Sequence, residues 1–239
     1  MPLDPHKQWT LVCSGLVAHA DGVLDGSECE RLMAVLEATD DLEGEEYGAW
    51  MAAIADPKRL EELMTLLPPP PTEQHRDLLE NAWVMAVVDG QRTPEEGAML
   101  ERLAARMGVE PMQLDYWREA WTRTEEEFAT AVASVLAWVL GGGAPAAEAT
   151  RGPAHDALWA TPCEQALRER LVGRAMLPCT RDEAAAPLSS LPRARRAAAL
   201  QRSVVAIAKL PRPTEARARL VDLAWASSVS AELVDRWFR

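Results

Sequence analysis

Two Asp-Gly dipeptides constrain this chain more than any other feature. Each ends an apolar run, and each is followed by a glutamate seven residues after the aspartate: Asp21-Gly22 with Glu28, and Asp89-Gly90 with Glu96. Glycine just past a helix end is favoured because it takes positive φ without a Cβ clash. The residues after each corner read as a helix start. Asp25 and Thr93 stand at N-cap positions, Pro94 sits in the first turn, and each glutamate falls three residues after its cap, as a capping box requires. A shift of 68 residues superposes the two segments. It pairs Leu16 with Val84, Val17 with Met85, Ala18 with Ala86, Leu32 with Leu100 and Val35 with Leu103, so apolar stripes and carboxylates recur together.

Composition agrees with helices throughout. Hydrophobic residues make up 48% and charged residues 26%, as in ordinary globular chains, and there are only two Phe and two Tyr. Ala and Leu dominate, which favours helix; strands want β-branched and aromatic residues. Helical spacing predicts helices over Trp9–Ala20, after Asp25, near Glu45–Ala55 and Pro57–Leu67, over Glu73–Val88 and from Thr93 onward. Pro68 to Pro71 separates the two units, since no helix runs through four prolines. The fold class expected is all-α.

A further shift of 120 residues suggests a degenerate third copy. Val84-Met85-Ala86 meets Val204-Val205-Ala206, Leu100 meets Leu220, and Asp115-Tyr116-Trp117 meets Asp235-Arg236-Trp237. The special positions are lost: Asp89 corresponds to Lys209, Gly90 to Leu210 and Glu96 to Ala216. An apolar frame kept without its carboxylates argues that the carboxylates do more than hold the fold.

Charge and punctuation divide the chain. Residues up to Leu140 carry 10 Lys/Arg against 27 Asp/Glu, and the rest carry 15 against 10. The organisation expected is an acidic two-repeat domain over 1–140, a Gly/Ala/Pro linker over 141–153, and a basic helical domain over 154–239. Opposite charges point to docking of the basic domain on the acidic one, or to separate partners. The basic stretch Arg193, Arg195, Arg196, Arg202, Lys209, Arg212, Arg217, Arg219 lacks interleaved aromatics, so a protein partner is expected rather than nucleic acid. Helices near Ala154–Ala160 and Pro162–Met176 lead to a proline-punctuated stretch, Pro178 to Pro192. Phe128 to Ala147 is uncharged, but Gly141-Gly142-Gly143 and Pro145 cut its apolar helix too short to span a bilayer. Four scattered cysteines, with no C-x-x-C pair, and no signal peptide point to reduced thiols in a cytoplasm.

The segments Ala18-His19-Ala20-Asp21-Gly22 through Glu28 and Val88-Asp89-Gly90 through Glu96 resemble the tellurite-resistance TerB-like family, whose members carry an A-x-x-D-G-x-x-x-x-x-E element twice in one helical domain. Leu103 to Val109 is similar to the family's A-x-x-L-G ending, and the resemblance covers roughly residues 5 to 120. It implies a helical bundle of two pseudo-symmetric units with an acidic surface or pocket. It also implies divalent-cation binding, a role in stress-related protein complexes, and no enzymatic activity. Mapped onto this chain, the implied metal residues are Asp21, Glu28, Asp89 and Glu96. Ca, Mn and Zn are not distinguished.

The residues leave two readings open. Hard divalent cations take several oxygen ligands, and two corners brought face to face supply them. The same glutamates are also capping-box residues, and the aspartates sit where a helix dipole favours negative charge. The loop from Asp21 to Glu28 is too short for an EF-hand. His19 pairs with Val87 across the repeat and reads as an apolar-facing helix residue, while Cys13, Cys29 and the nine tryptophans read as core. No nucleophile, base and orienting group assemble, so a non-catalytic binding or scaffold protein is expected, with a metal-free protein-interaction module as the alternative.

Overall fold

A computed structural model describes residues 3–38, 42, 44–211 and 213–239. Arg212, counted in the basic stretch, lies outside them. The described residues form thirteen α-helices and no strand. The chain divides into two compact units, residues 1–122 and 123–239.

The first unit holds α1 (Pro5–Ala18), α2 (Gly26–Glu37), α3 (Gly44–Ile54), α4 (Pro57–Leu66), α5 (His75–Met85), α6 (Pro94–Arg106) and the start of α7 (Pro111–Gly141). Helix α1 is its axis. Residues Trp9 to Ala18 are all buried, and α1 packs against α2, α4, α5 and α6. The core it organises includes Leu11, Leu16, Leu32, Leu60, Leu78, Leu79, Leu100 and Leu103, each at most 1% exposed. Burying each such side chain contributes about 1.5–3 kcal/mol before the entropy of ordering it. Gly15 allows the close packing, since a Cβ there would lie 2.7 Å from a Leu60 methyl.

The second unit holds the rest of α7, then α8 (Arg151–Trp159), α9 (Gln165–Ala175), α10 (Arg181–Ser190), α11 (Arg193–Ala208), α12 (Pro213–Ala226) and α13 (Ala231–Arg236). The division falls between residues 122 and 123, whereas the sequence reading sets it at 140. Ala129, Val132, Val135, Leu136 and Val139 belong to the core of the second unit, so the apolar run is that unit's own helix. The expected linker at 141–153 is likewise part of it. Gly142 and Gly143 turn the chain at φ +59° and +96°, Ala146 N–H donates to Met176 C=O at 3.1 Å, and a 3-10 turn at Glu148–Thr150 leads into α8.

The stretch from Pro178 to Pro192 also differs from expectation. It contains α10, with Pro187 inside it and a capping box made by Thr180 and Glu183 at its start. Trp225 departs from the core reading of the tryptophans, being 80% exposed on α12. None of the four cysteines is in a disulfide, and Cys13 is buried while Cys29 is half-buried. No helix among the described residues is long and apolar enough to cross a membrane.

Candidate functional site

The two corners share their closing turn bonds. After α1, Ala20 N–H donates to Val17 C=O and Gly22 N–H to His19 C=O, with Gly22 at φ +87°. After α5, Val88 N–H donates to Met85 C=O and Gly90 N–H to Val87 C=O, with Gly90 at φ +101°. Each aspartate then closes its own turn: Asp21 Oδ1 accepts from Val23 N–H, and Asp89 Oδ1 from Gln91 N–H, both at 2.9 Å. A short carboxylate bonding the backbone two residues on is what makes Asp the residue for such a turn.

The glutamates work inward. Glu28 Oε2 accepts from Asp25 N–H at 2.8 Å while Asp25 Oδ1 accepts from Ser27 N–H at 2.8 Å. Glu96 Oε2 accepts from Thr93 N–H at 2.6 Å and from the Thr93 hydroxyl at 2.9 Å, and Glu96 N–H donates back to Thr93 Oγ1 at 3.2 Å. Both boxes are complete. The bonds from Ser27 hold the Asp25 carboxyl below its usual range.

Burial then sets the electrostatics. Glu28 and Glu96 are only 4% and 3% exposed. Loss of water pushes the Glu28 carboxyl up to about 8, and the negative charges of Glu96, Asp89 and Asp21 push the same way. Burial also raises Glu96, again helped by Asp89 and Asp21. The four carboxylates predicted from the repeat therefore share one electrostatic neighbourhood, brought there because α2, α5 and α6 all pack on α1.

Sharing a neighbourhood is not coordination. One oxygen of each carboxylate is committed to a backbone N–H. No group of three or more His, Cys, Asp or Glu residues is arranged to hold a metal ion among the described residues. The donor chemistry suits a hard cation, but the spacing does not form a ready ligand cage. His19 takes no part: its Nε2 lies 2.7 Å from Ile54 C=O, so the ring is spent on α3.

Two residues beside the second corner escaped the sequence reading. The Arg92 guanidinium lies over the Trp83 ring, 4.0 Å from its centroid, and Arg118 lies over the same ring at 5.4 Å. The repeat hinted at this, because Arg92 falls at the station of Leu24, a half-buried residue packed on the core.

Part of the basic character of the second unit is spent internally. Arg151 pairs with Glu148, Arg181 with Asp182 and Asp222, Lys209 with Asp156, Arg217 with Asp235 and Arg219 with Glu215. Arg196 donates to the carbonyls of Leu191, Ser189 and Ser227. Fewer cations remain for a partner than the sequence count implies.

Comparison with curated proteins and with solved structures finds no match. A family model described as Tellurite resistance protein TerB matches residues 8–119, which fall within the first compact unit and contain both corners. The first unit of this chain is thus TerB-like over those residues.

Proposed function

We propose that the first unit is a non-catalytic binding module whose acidic corner receives a cationic group. That group is either a basic side chain of a protein partner or a divalent ion that keeps part of its water shell. One observation carries the reading: Glu28 and Glu96 are buried beside each other and beside Asp21 and Asp89, with carboxylates as the charges acting on them. Like charges gathered in a water-poor place raise the free energy of the ionised state, and a cation relieves it. The free oxygen of each carboxylate remains for that ligand, because the capping and turn bonds use only one.

Isothermal titration of the full chain with Ca²⁺, Mn²⁺, Zn²⁺ and a lysine decapeptide tests this. Wild type should bind at least one of them, and Asp21→Asn/Asp89→Asn should weaken that binding by about tenfold or more, the loss expected for removing two charges from one neighbourhood. Equal heats from the two proteins would sink the reading.

The complete capping boxes favour a second reading, a metal-free structural interaction module. There the carboxylates serve helix starts and turns alone. The double Asn variant then keeps every partner and binds no cation differently, while Asp25→Ala or Thr93→Ala costs about 1 kcal/mol of stability.

A further inference from the structure

The second unit carries an open cavity of about 420 Å³, bounded by α7, by the link from α9 to α10, and by α10 itself. Small-molecule sites run from about 300 to 1,000 Å³ and are mostly apolar, with a few polar groups that fix orientation. This cavity has that make-up. Ala137 of α7, Leu177 and Pro178 of the link, and Pro187 of α10 give it apolar walls, and Arg174 near the end of α9 supplies a charge. The Cys179 thiol ties the link to α7, donating to Thr180 C=O at 3.5 Å and to Ser134 C=O at 3.9 Å.

The cations single this place out. Arg174 makes no ion pair or side-chain hydrogen bond among the described residues, and neither does Arg170 four residues earlier. Residues four apart are neighbours on a helix, so the two guanidiniums stem from one face of α9. Like charges at that spacing weaken a helix, and folding alone does not call for the pair. Glu183, the acid on the lining, is held at the start of α10, where its Oε2 accepts from the Thr180 N–H and hydroxyl, both at 2.8 Å. Leu177 is 59% exposed, an apolar wall left open three residues after Arg174.

We propose that this cavity binds a small amphipathic anion, with its carboxylate or phosphate head on Arg174 and Arg170 and its short hydrocarbon tail along Leu177, Pro178 and Pro187. A head alone meets exposed guanidiniums, which hold an anion weakly in water. A tail alone gains burial but no direction. The lining suits a ligand that has both. The site lies in the second unit and does not depend on cation uptake at the acidic corner.

Isothermal titration of the full chain with sodium octanoate, octyl phosphate, 1-octanol and inorganic phosphate tests this, each probe kept below any micelle-forming concentration. At least one of the two amphipathic anions should bind one to one, and the tighter of them identifies the head. Both 1-octanol and inorganic phosphate should bind at least about tenfold more weakly. Arg174→Gln should weaken the anion about tenfold and leave 1-octanol within about twofold, and Arg170→Gln should weaken the anion about twofold to threefold. Ala186→Phe narrows the cavity from α10 and should weaken the anion about tenfold. Arg174 and Ala186 are both exposed, so neither change empties the core, and circular dichroism checks each fold. Should Ala186→Phe fail to fold, Ala186→Leu takes its place with a smaller loss in the same direction.

Cys179 gives a second readout. Cys13 and Cys163 are buried, so Cys29→Ser leaves Cys179 as the thiol open to a labelling reagent. The anion at ten times its Kd should slow that labelling about tenfold. Equal affinity for the anions and 1-octanol, unchanged affinity in Arg174→Gln or in the Ala186 variant, labelling of Cys179 that ignores the anion, or no binding of either anion would each overturn the inference.

Discussion

Glu28 and Glu96 hold the same station in α2 and α6, each buried and each accepting the backbone N–H of the residue that caps its own helix. Capping explains why a glutamate is there, but it does not need a full charge; a glutamine oxygen accepts the same bond. The charge is what the site resists. Burial and three neighbouring carboxylates raise Glu28 from 4.5 to about 8, so the fold prefers the protonated acid. That contribution to stability is fully present below the unfolded value near 4.5 and is lost as pH rises through about 8.

Glu28→Gln should therefore stabilise the protein at pH 8 and leave its stability unchanged at pH 4. The gain should be on the order of 1–2 kcal/mol, well short of the full shift because the glutamine NH2 must itself be buried in place of a carboxylate oxygen. Urea midpoints at the two pH values read it. A variant that is equally or less stable than wild type at pH 8 would show that Glu28 is comfortably ionised.

Cation uptake at the corner should release protons. A positive ligand favours the carboxylate form of Glu28, which below about pH 8 is mostly protonated. Affinity should then rise between pH 6 and 8, by at most about tenfold per pH unit for one linked proton. Titration heats at pH 7 should also differ between buffers of different ionisation enthalpy, such as phosphate and Tris. Identical heats in both buffers would mean that no proton leaves.

Much of this was legible in the sequence because the signals are local. Asp21, Gly22, Asp25 and Glu28 interact within eight residues of one another, and their counterparts at 89–96 repeat the spacing, so turn, cap and carboxylate could all be read from order alone. Thr180 and Glu183 offered the same capping-box signal for α10, but the surrounding prolines masked it. The unit boundary was not legible. Gly141-Gly142-Gly143 is a strong helix stop, whereas nothing local marks the place within α7 where its buried face passes from one core to the other. Trp83 and Arg92 meet only because α5 and the loop after it fold back together, and a ring-to-cation contact leaves no periodicity behind.

Gly108 and Ser228 end α6 and α12 in the same way, although one is glycine and the other is not. Val109 N–H donates to Ala104 C=O at 2.9 Å and Val229 N–H to Ala224 C=O at 2.8 Å, closing each helix around a residue at φ +72° or +59°. A serine in the left-handed region costs about 1 kcal/mol that glycine does not. Ser228→Gly should raise stability by about that amount, and Gly108→Ser should lower it similarly, with nothing within 4 Å of the new Cβ to add a clash. Thermal midpoints moving in the same direction for both variants would contradict this account.

Arg219 of α12 closes the far end of α7. Its Nη1 donates to Val139 C=O at 3.0 Å, and Trp138 Nε1 donates to Arg219 C=O at 3.2 Å, so the last turn of one helix is bonded to the side chain and backbone of the other. Gly142 makes room for it: a Cβ at that position would stand 2.5 Å from Arg219 Cζ, on a residue already at φ +59°. Arg219→Ala should cost about 1 kcal/mol for the lost carbonyl partner. Gly142→Ala should cost about 1–3 kcal/mol, part from the backbone and part from forcing the guanidinium off its carbonyl. The second part vanishes when Arg219 is already gone, so the double variant should be less destabilised than the two single losses predict, by on the order of 1 kcal/mol. Urea midpoints of the four proteins give that coupling directly. Costs that simply add would mean that the guanidinium moves freely away from a new methyl group, and the bond to Val139 would then do little to fix the end of α7.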